Sequence, residues 1–276
     1  MTVDNLLFFG KQHIHSDHAK ILLAELLNKN PLELLNYLEK EVDEDIALKY
    51  QEGVKALEEG RPLQYVLGYV NFYGTKFYIN KNVLIPRFET EELVENTINY
   101  AKTLFTEPVE IIDLGCGSGV IGLTLEKKLS PKSVDLVDIS KEALEVTHKN
   151  CANLSSKANI IESDMFKNIT KKYDIVISNP PYIKTTEEIE KIVAENEPSL
   201  ALYAGEDGLD CYRKIFSDLL PHLKEKALIA FEIGMTQAPD LINLTKEYLT
   251  TAKYEVKKDL SDKDRMFFIF YNEKSN

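Results

Sequence analysis

The sequence predicts an α/β chain, with a seven-stranded, mostly parallel sheet carrying an antiparallel C-terminal hairpin and a small helical domain ahead of it. Three observations predict it. From Glu110 onward, short apolar runs alternate with segments of helical length. The first four of these runs are apolar on both faces, as strands covered by helices on both sides must be. The last two have no room between them for a helix, so they pair as an antiparallel hairpin at one edge.

Each element follows in order. From Asn5 to about Glu59 the pattern is helical: "HAKILLAELLNKN" and "PLELLNYLEKEV" set Leu and Ile three and four residues apart, and Pro31 suits a first turn. Residues 1–62 are therefore expected to form a helical domain. In "GRPLQYVLGYVNFYGTKFYIN" the composition turns β-branched and aromatic, with Gly68 and Gly74 as turn residues, which predicts a hairpin linker over 63–83. The main domain then spans 84–276. It opens with an amphipathic helix at "ETEELVENTINYAKTLF", and strands follow at "EIIDL", "SVDLVDI", "ANIIES", "YDIVIS", "ALIAFEI", "YEVKKDL" and "RMFFIFY".

Composition narrows the function. The chain has 276 residues, 44% of them hydrophobic and 28% charged, enough for one large domain and a smaller one. Its net charge of −12 opposes a nucleic-acid partner. No apolar run reaches the length of a membrane span, and "NLLFFG" is too short for a signal peptide, so no membrane association is expected. Cys116, Cys151 and Cys211 are odd in number and lack CxxC spacing, which fits neither a disulfide framework nor a zinc site and points to the reducing cytoplasm. No metal is expected. His13, His15 and His18 lie in the helical segment as a solvated face.

Chemistry concentrates at strand ends. "DLGCGSGVIG" carries a strand into Gly115, Gly117 and Gly119 and then into a helix, a turn where bare backbone and free N–H groups receive a nucleotide-type ligand. The spacing Gly117-x-Gly119-x-x-Gly122 also satisfies the dinucleotide fingerprint, so the glycines alone leave the ligand open. The next strand ends in Asp138, which is placed to accept from two ribose hydroxyls or, alternatively, only to lead into a helix capped by Ser140. After the third strand, Asp164 and Met165 offer a hydrogen-bonding acid and an apolar side chain for an adenine.

The fourth strand runs into "SNPPYI". Pro180 and Pro181 fix φ and hold the preceding residue extended, giving a rigid loop at the ligand edge of the sheet. Methyl transfer needs near-linear alignment of nucleophile, carbon and leaving group, and a rigid loop serves that need. Its nucleophile is a planar nitrogen bearing N–H groups: Asn179 Oδ1 accepts from one, the Pro180 carbonyl accepts from the other, and the Tyr182 ring covers the flat face. A strand terminator would need the prolines but neither neighbour.

These residues resemble class I S-adenosylmethionine-dependent methyltransferases that modify an amide or exocyclic amine nitrogen. More narrowly, "IPRFETEEL", "DLGCGSG", "SNPPYI", "ALYAGEDGLDCYR" and "FEIG" resemble the peptide chain release factor glutamine N5-methyltransferases, in order and along the whole chain. The resemblance implies a Rossmann-like sheet and methylation of the glutamine in the Gly-Gly-Gln tripeptide of class 1 release factors. It implies cofactor contacts at Gly115, Cys116, Gly117, Ser118, Gly119, Asp138, Asp164, Met165 and Asn179, and substrate contacts at Asn179, Pro180, Pro181 and Tyr182. Asn179, Pro180 and Tyr182 are the expected catalytic residues, and S-adenosylhomocysteine is the product. One departure stands out: the family usually reads Pro-Arg-Pro where this chain has Pro86, Arg87 and Phe88, which puts the lid over the cofactor in question.

Glu89 and Glu91 fit helix capping and complementarity to the helix dipole better than acid or base work. No general base is needed, because a methylated amide nitrogen is acidic enough to lose its proton to water. Three other enzymes stay open: a ribosomal-protein glutamine methyltransferase, an adenine-N6 DNA methyltransferase and a nicotinamide dehydrogenase, the last leaving "NPPY" unexplained. A non-catalytic module with the same fold is the remaining alternative. The helical domain carries no catalytic motif and is expected to dock the protein substrate, with the enzyme acting as a monomer.

Overall fold

The computed structural model describes residues 1–275, which divide into two compact units. The first comprises Met1–Val70 together with Glu190–Asn196, the latter a segment well inside the region expected as the main domain. It holds α1 (Val3–His13), α2 (Ser16–Leu26), α3 (Glu44–Glu58), α4 (Leu63–Leu67) and, from the distant segment, a short helix over Lys191–Asn196. Its core is Leu6, Leu7, Leu22, Leu23, Tyr50 and Val54. Two glycines let the helices meet closely. A side chain at Gly10 would strike the Tyr50 ring, and one at Gly53 would press on Leu22. The Tyr50 hydroxyl is buried there and donates to the Ala19 carbonyl at 3.3 Å.

Two expectations for this region need correction. Residues 31–42 do not continue as a helix: only Pro31–Asn36 form a 3-10 turn. Leu34 is buried, with Tyr37 and Leu38 packed beside it on the core, while Leu32 and Leu35 are 80% and 69% exposed. The expected hairpin linker begins with α4 instead. Pro62 leads into it and Gly68, at φ +76°, ends it. Only then do β1 (Tyr69–Phe72) and β2 (Thr75–Tyr78) pair as a two-stranded sheet.

The second unit contains α5 (Phe88–Leu104) and the main sheet. Among the described residues its strands are β3 (Glu110–Leu114), β4 (Ser133–Asp138), β5 (Asn159–Glu162), β6 (Tyr173–Ser178), β7 (Leu223–Glu232), β8 (Lys253–Lys258) and β9 (Asp264–Asn272). They lie in the order β5-β4-β3-β6-β7-β9-β8. The first five are parallel, and β9 pairs antiparallel with both β7 and β8. The seven strands and the antiparallel hairpin are those the sequence predicts. Between strands run α6 (Val120–Leu129), α7 (Lys141–Leu154), α8 (Lys191–Asn196, already described in the first unit), α9 (Asp210–Leu219) and α10 (Ala238–Tyr248). Phe216, Phe231, Phe267 and Leu241 lie in the core on one side of the sheet. No helix among the described residues is long and apolar enough to cross a membrane.

The chain leaves β3 to build β4 and β5 on one side, then returns with β6 on the other side of β3. Strand order therefore reverses between β3 and β6. In open α/β sheets, ligands bind at such a reversal, beyond the carboxyl ends of the strands. The register sets Leu114 beside both Val137 and Ser178, so the loops after β3, β4 and β6 emerge together.

Phe88 is the first residue of α5, is 61% exposed, and follows Arg87 in an extended conformation (φ −99°, ψ 161°). This backbone accepts proline at position 88, where the first-turn N–H needs no intrahelical partner. Phe88→Pro is expected to raise unfolding free energy by about 0.4–1 kcal/mol, mainly by restricting the unfolded chain. Urea titration measures it, and a clear destabilisation would mean that the phenyl ring holds contacts of its own.

Candidate active site

A cleft of about 470 Å³ lies at this reversal. Of the residues singled out in the sequence, Gly115, Cys116, Gly117, Ser118, Asp138, Asp164, Met165, Asn179 and Pro181 line it. Gly119, Pro180 and Tyr182 are not among its lining residues.

The loop after β3 is a cradle. Gly115 and Gly117 have φ of +68° and +55°, and a Cβ built on either would meet nothing within 4 Å. Both the backbone conformation and the open space thus suit a ligand lying against bare main chain. Helix α7 holds the loop from behind: the Thr147 hydroxyl donates to the Gly117 carbonyl at 2.7 Å, and Asn150 Nδ2 donates to the Ser118 carbonyl at 2.8 Å. Gly122 has a different task, since any side chain there would strike Leu136 of β4 and keep α6 off the sheet.

Asp138 closes this cradle. Its Oδ2 accepts from the Gly117 N–H at 2.8 Å and its Oδ1 from the Ser140 N–H at 2.9 Å. Burial pushes its pKa up, while the N–H groups of Ser140, Gly117 and Ile139 draw it back. Each carboxylate oxygen keeps a further lone pair for a diol. The Ser140 hydroxyl also caps α7 by accepting from the Ala143 N–H at 3.1 Å. The helix-entry and ligand readings of this stretch are thus compatible. Asp113, at the end of β3, is buried too. Its Oδ2 accepts from the Gly122 N–H at 2.9 Å, Oδ1 has no partner among the described residues, and burial pushes its pKa up to about 7.

Past β5, Met165 takes the left-handed conformation at φ +50°, which is unusual for a side chain with a Cβ and turns it to the cleft. Asp164 is not a solitary acceptor, because Lys214 Nζ lies 3.2 Å from both its oxygens. The opposite wall includes Pro198, Leu200 and Ala201. Buried Glu197 fixes that segment by accepting from the Ile85 N–H at 3.0 Å and pairing with Arg87. Phe88 is outside the cleft wall. Neither Glu89 nor Glu91 is needed for a side-chain cap on α5, which has none, and Glu91 instead accepts from the Tyr73 N–H at 2.9 Å.

The loop after β6 is held at several points. The Ser178 hydroxyl donates to the Leu114 carbonyl at 2.6 Å. Beyond the prolines, the Ile183 N–H donates to Leu202 O at 3.0 Å, the Ala204 N–H to Ile183 O at 2.9 Å, and the Thr185 N–H to Gly205 O at 2.9 Å. Gln237 Nε2 donates to the Tyr182 carbonyl at 3.1 Å. Gly208 lets that carbonyl approach, as any side chain there would collide with it. Asn179 Nδ2 donates to Thr90 Oγ1 at 3.3 Å, and Thr90 donates to Glu232 Oε2 at 2.6 Å. The Tyr182 hydroxyl faces Glu232 Oε1 at 3.5 Å and receives Arg265 Nη1 at 3.4 Å. Burial pushes the Tyr182 phenol up to about 12 and Glu232 up to about 7.

Thr90, Glu232, Gln237, Gly208 and Arg265 were not among the residues expected at the site. Three had a visible signal. Thr90 lies in "IPRFETEEL", Gly208 in "ALYAGEDGLDCYR", and Glu232 ends an apolar strand in an acid, just as Asp138 does.

Residues 90–200, which carry β3 to β6 and their ligand edge, match the family model described as the methyltransferase small domain, and residues 11–68 match the PrmC N-terminal domain. The second unit is thus a Rossmann-like methyltransferase domain. A methyltransferase structure from Pyrococcus furiosus shares this fold at a TM-score of 0.53, with 15% identity over 72% of this chain and 90% of that one. The release factor glutamine methyltransferase of Bacillus cereus is 38% identical over 256 residues, covering 91% of this chain and 90% of the relative. That of Bacillus subtilis is 37% identical over 254 residues, covering 90% and 88%. The chain belongs to the release factor glutamine methyltransferase family.

The glycine cradle and the Asp138 carboxylate fit the adenosyl and ribose groups of S-adenosylmethionine. If Asp138 accepts from the ribose diol, Asp138→Ala removes that acceptor and strands the Gly117 N–H, an expected loss of about 1–3 kcal/mol that weakens cofactor binding roughly tenfold or more. Isothermal calorimetry reads this directly, and an unchanged Kd would remove Asp138 from the site.

Proposed function

We propose that this chain methylates the side-chain amide nitrogen (N5) of the glutamine in the Gly-Gly-Gln motif of class 1 peptide chain release factors. Asn179 carries the reading: it sits in the cleft wall next to the glycine cradle, with its N–H2 directed to Thr90. S-Adenosylmethionine, when bound, supplies a sulfonium-activated methyl group and leaves as S-adenosylhomocysteine. Asn179 Oδ1 and the Pro180 carbonyl accept from the two N–H groups of the glutamine amide. Those two bonds return electron density to a nitrogen whose lone pair is otherwise withdrawn by resonance. Pro180 and Pro181 hold both acceptors fixed, and the Tyr182 ring covers the amide plane. After transfer the nitrogen gives its proton to water. Met165 and Asp164 flank the adenine, with Lys214 holding the Asp164 carboxylate in place.

Mass spectrometry of a release factor incubated with enzyme and cofactor tests the reading, which requires one added methyl group on the Gly-Gly-Gln glutamine and none elsewhere. Asn179→Ala should lower kcat by roughly 10²-fold, the usual loss of one preorganised polar contact at a reacting centre, with a smaller effect on cofactor affinity. Near-normal turnover would rule out the role given to this loop.

A flat-amide pocket does not tell one glutamine from another, so selection falls to a second surface. We assign it to the helical unit, residues 1–62 in the proposed division, with 63–83 as linker and 84–276 as the methyltransferase domain. The enzyme then acts as a monomer in the cytoplasm on a protein partner, with its charge of −12 opposing nucleic acid. Leu32 and Leu35 are the most exposed leucines of that unit and share one turn. Replacing both with Glu is expected to lower kcat/KM for the intact factor about tenfold or more, as removal of interface anchors does, while calorimetry shows unchanged cofactor binding. Full activity of the double variant would move the docking surface elsewhere.

A further inference from the structure

The two residues that flank the prolines share one anchor. Glu232, the last residue of β7, is 2% exposed, and Thr90, in the first turn of α5, is equally buried. Thr90 has one hydroxyl hydrogen, and Glu232, once ionised above its pKa of about 7, only accepts. That hydrogen goes to Glu232 Oε2 at 2.6 Å, which leaves Thr90 Oγ1 an acceptor toward Asn179. Asn179 Nδ2 donates to it at 3.3 Å. The amide of Asn179 is thereby fixed with its nitrogen turned to Thr90 and its oxygen available for the incoming nucleophile. On the other side, the Tyr182 hydroxyl lies 3.5 Å from Glu232 Oε1 and receives Arg265, whose own Nε is tied to Asp259 Oδ2 at 3.3 Å.

We propose that Glu232 is a positioning residue for methyl transfer, acting through Thr90 to set which end of the Asn179 amide faces the substrate. This rests on Asn179 being the acceptor for the glutamine N–H. The chemistry of the alternative makes it testable. In Glu232→Gln the side chain is the same size but can donate to Thr90. Thr90 is then free to donate to Asn179 Oδ1, which turns the amide over and sets N–H2 against N–H2.

Four single variants, Glu232→Gln, Thr90→Val, Thr90→Ser and Asn179→Ala, and the Glu232→Gln/Asn179→Ala double variant are compared with the wild type on a release factor, at a pH above the Glu232 pKa of about 7. Glu232→Gln and Thr90→Val should lower kcat roughly tenfold or more, since both lose the preorganised acceptor, with KM for the cofactor nearly unchanged. Thr90→Ser, which restores the hydroxyl, should retain activity. Adding Glu232→Gln to Asn179→Ala should cost nothing further, because the first acts through the second. A simple loss of packing would instead lower cofactor affinity and add to Asn179→Ala. The side-chain amide signals of Asn179 in the NMR spectrum of the cofactor-free protein, assigned by their loss in Asn179→Ala, should shift in Glu232→Gln and Thr90→Val and stay in place in Thr90→Ser.

If wild type methylates the factor and Asn179→Ala is impaired, yet Glu232→Gln keeps kcat within about twofold of wild type, a range too small for a lost polar contact, the inference is overturned and the proposed function stands. If wild type does not methylate the factor, the proposed function falls, and the Asn179 amide signals alone decide the inference: unchanged signals in Glu232→Gln overturn it.

Discussion

Two prolines in succession give up two backbone donors, so the segment after β6 has fewer main-chain groups with which to anchor itself, and those that remain bond to other parts of the chain. It lies at the ligand edge of the sheet, where strand order reverses and the cleft opens. Every contact that holds it therefore comes from elsewhere in the chain. Residues 201–205 run beside it through Ile183, Ala204 and Thr185, Gln237 takes the Tyr182 carbonyl, and Glu232 with Thr90 takes the side chains. The proline rings set φ, and these outside contacts set the position.

This constraint explains why short motifs far apart in sequence belong together. "IPRFETEEL" supplies Thr90, and its Arg87 pairs with Glu197 to set one wall of the cleft. "ALYAGEDGLDCYR" supplies the parallel stretch beside the loop, with Gly208 making room for the Tyr182 carbonyl. "FEIG" supplies Glu232. The glycine cradle is arranged on the same principle, with its carbonyls held by Thr147 and Asn150 of α7 and one N–H by Asp138. In both loops the surface offered to ligand is backbone or a single amide, and the groups that fix it are buried behind.

The parts of the fold and site that could be read from the sequence are those that local pattern determines. Apolar runs marked the inner strands, which are covered on both faces, while the edge strands β5 and β8 are partly exposed, and glycines with an acid one strand later marked the cradle. Asn179 and Tyr182 stood out because prolines alone do not require them. What escaped depends on tertiary partners. The leucines of 31–36 have helical spacing but mostly face outward. Residues 63–67 form a helix because Pro62 and Gly68 bound it and Leu63, Gln64 and Leu67 favour one, although the aromatic and β-branched residues that follow made the whole stretch read as a hairpin. Thr90 read as part of a helix start until β7 brought Glu232 to it across 142 residues. Asp164 read as an adenine acceptor, and nothing near it in sequence announced Lys214, 50 residues away.

The central claim is that the Asn179 loop is in place before substrate arrives, held by bonds between its remaining backbone and side-chain groups and residues elsewhere in the chain. Hydrogen exchange of the amides of Ile183, Thr185 and Ala204 in the free enzyme tests it most directly, since these three N–H groups make the contacts that hold the loop beside residues 202–205. The account predicts slow exchange without cofactor or release factor, and little further slowing when they are added. Exchange at the rate of unstructured chain in the free enzyme, with protection appearing only once substrate binds, would contradict it.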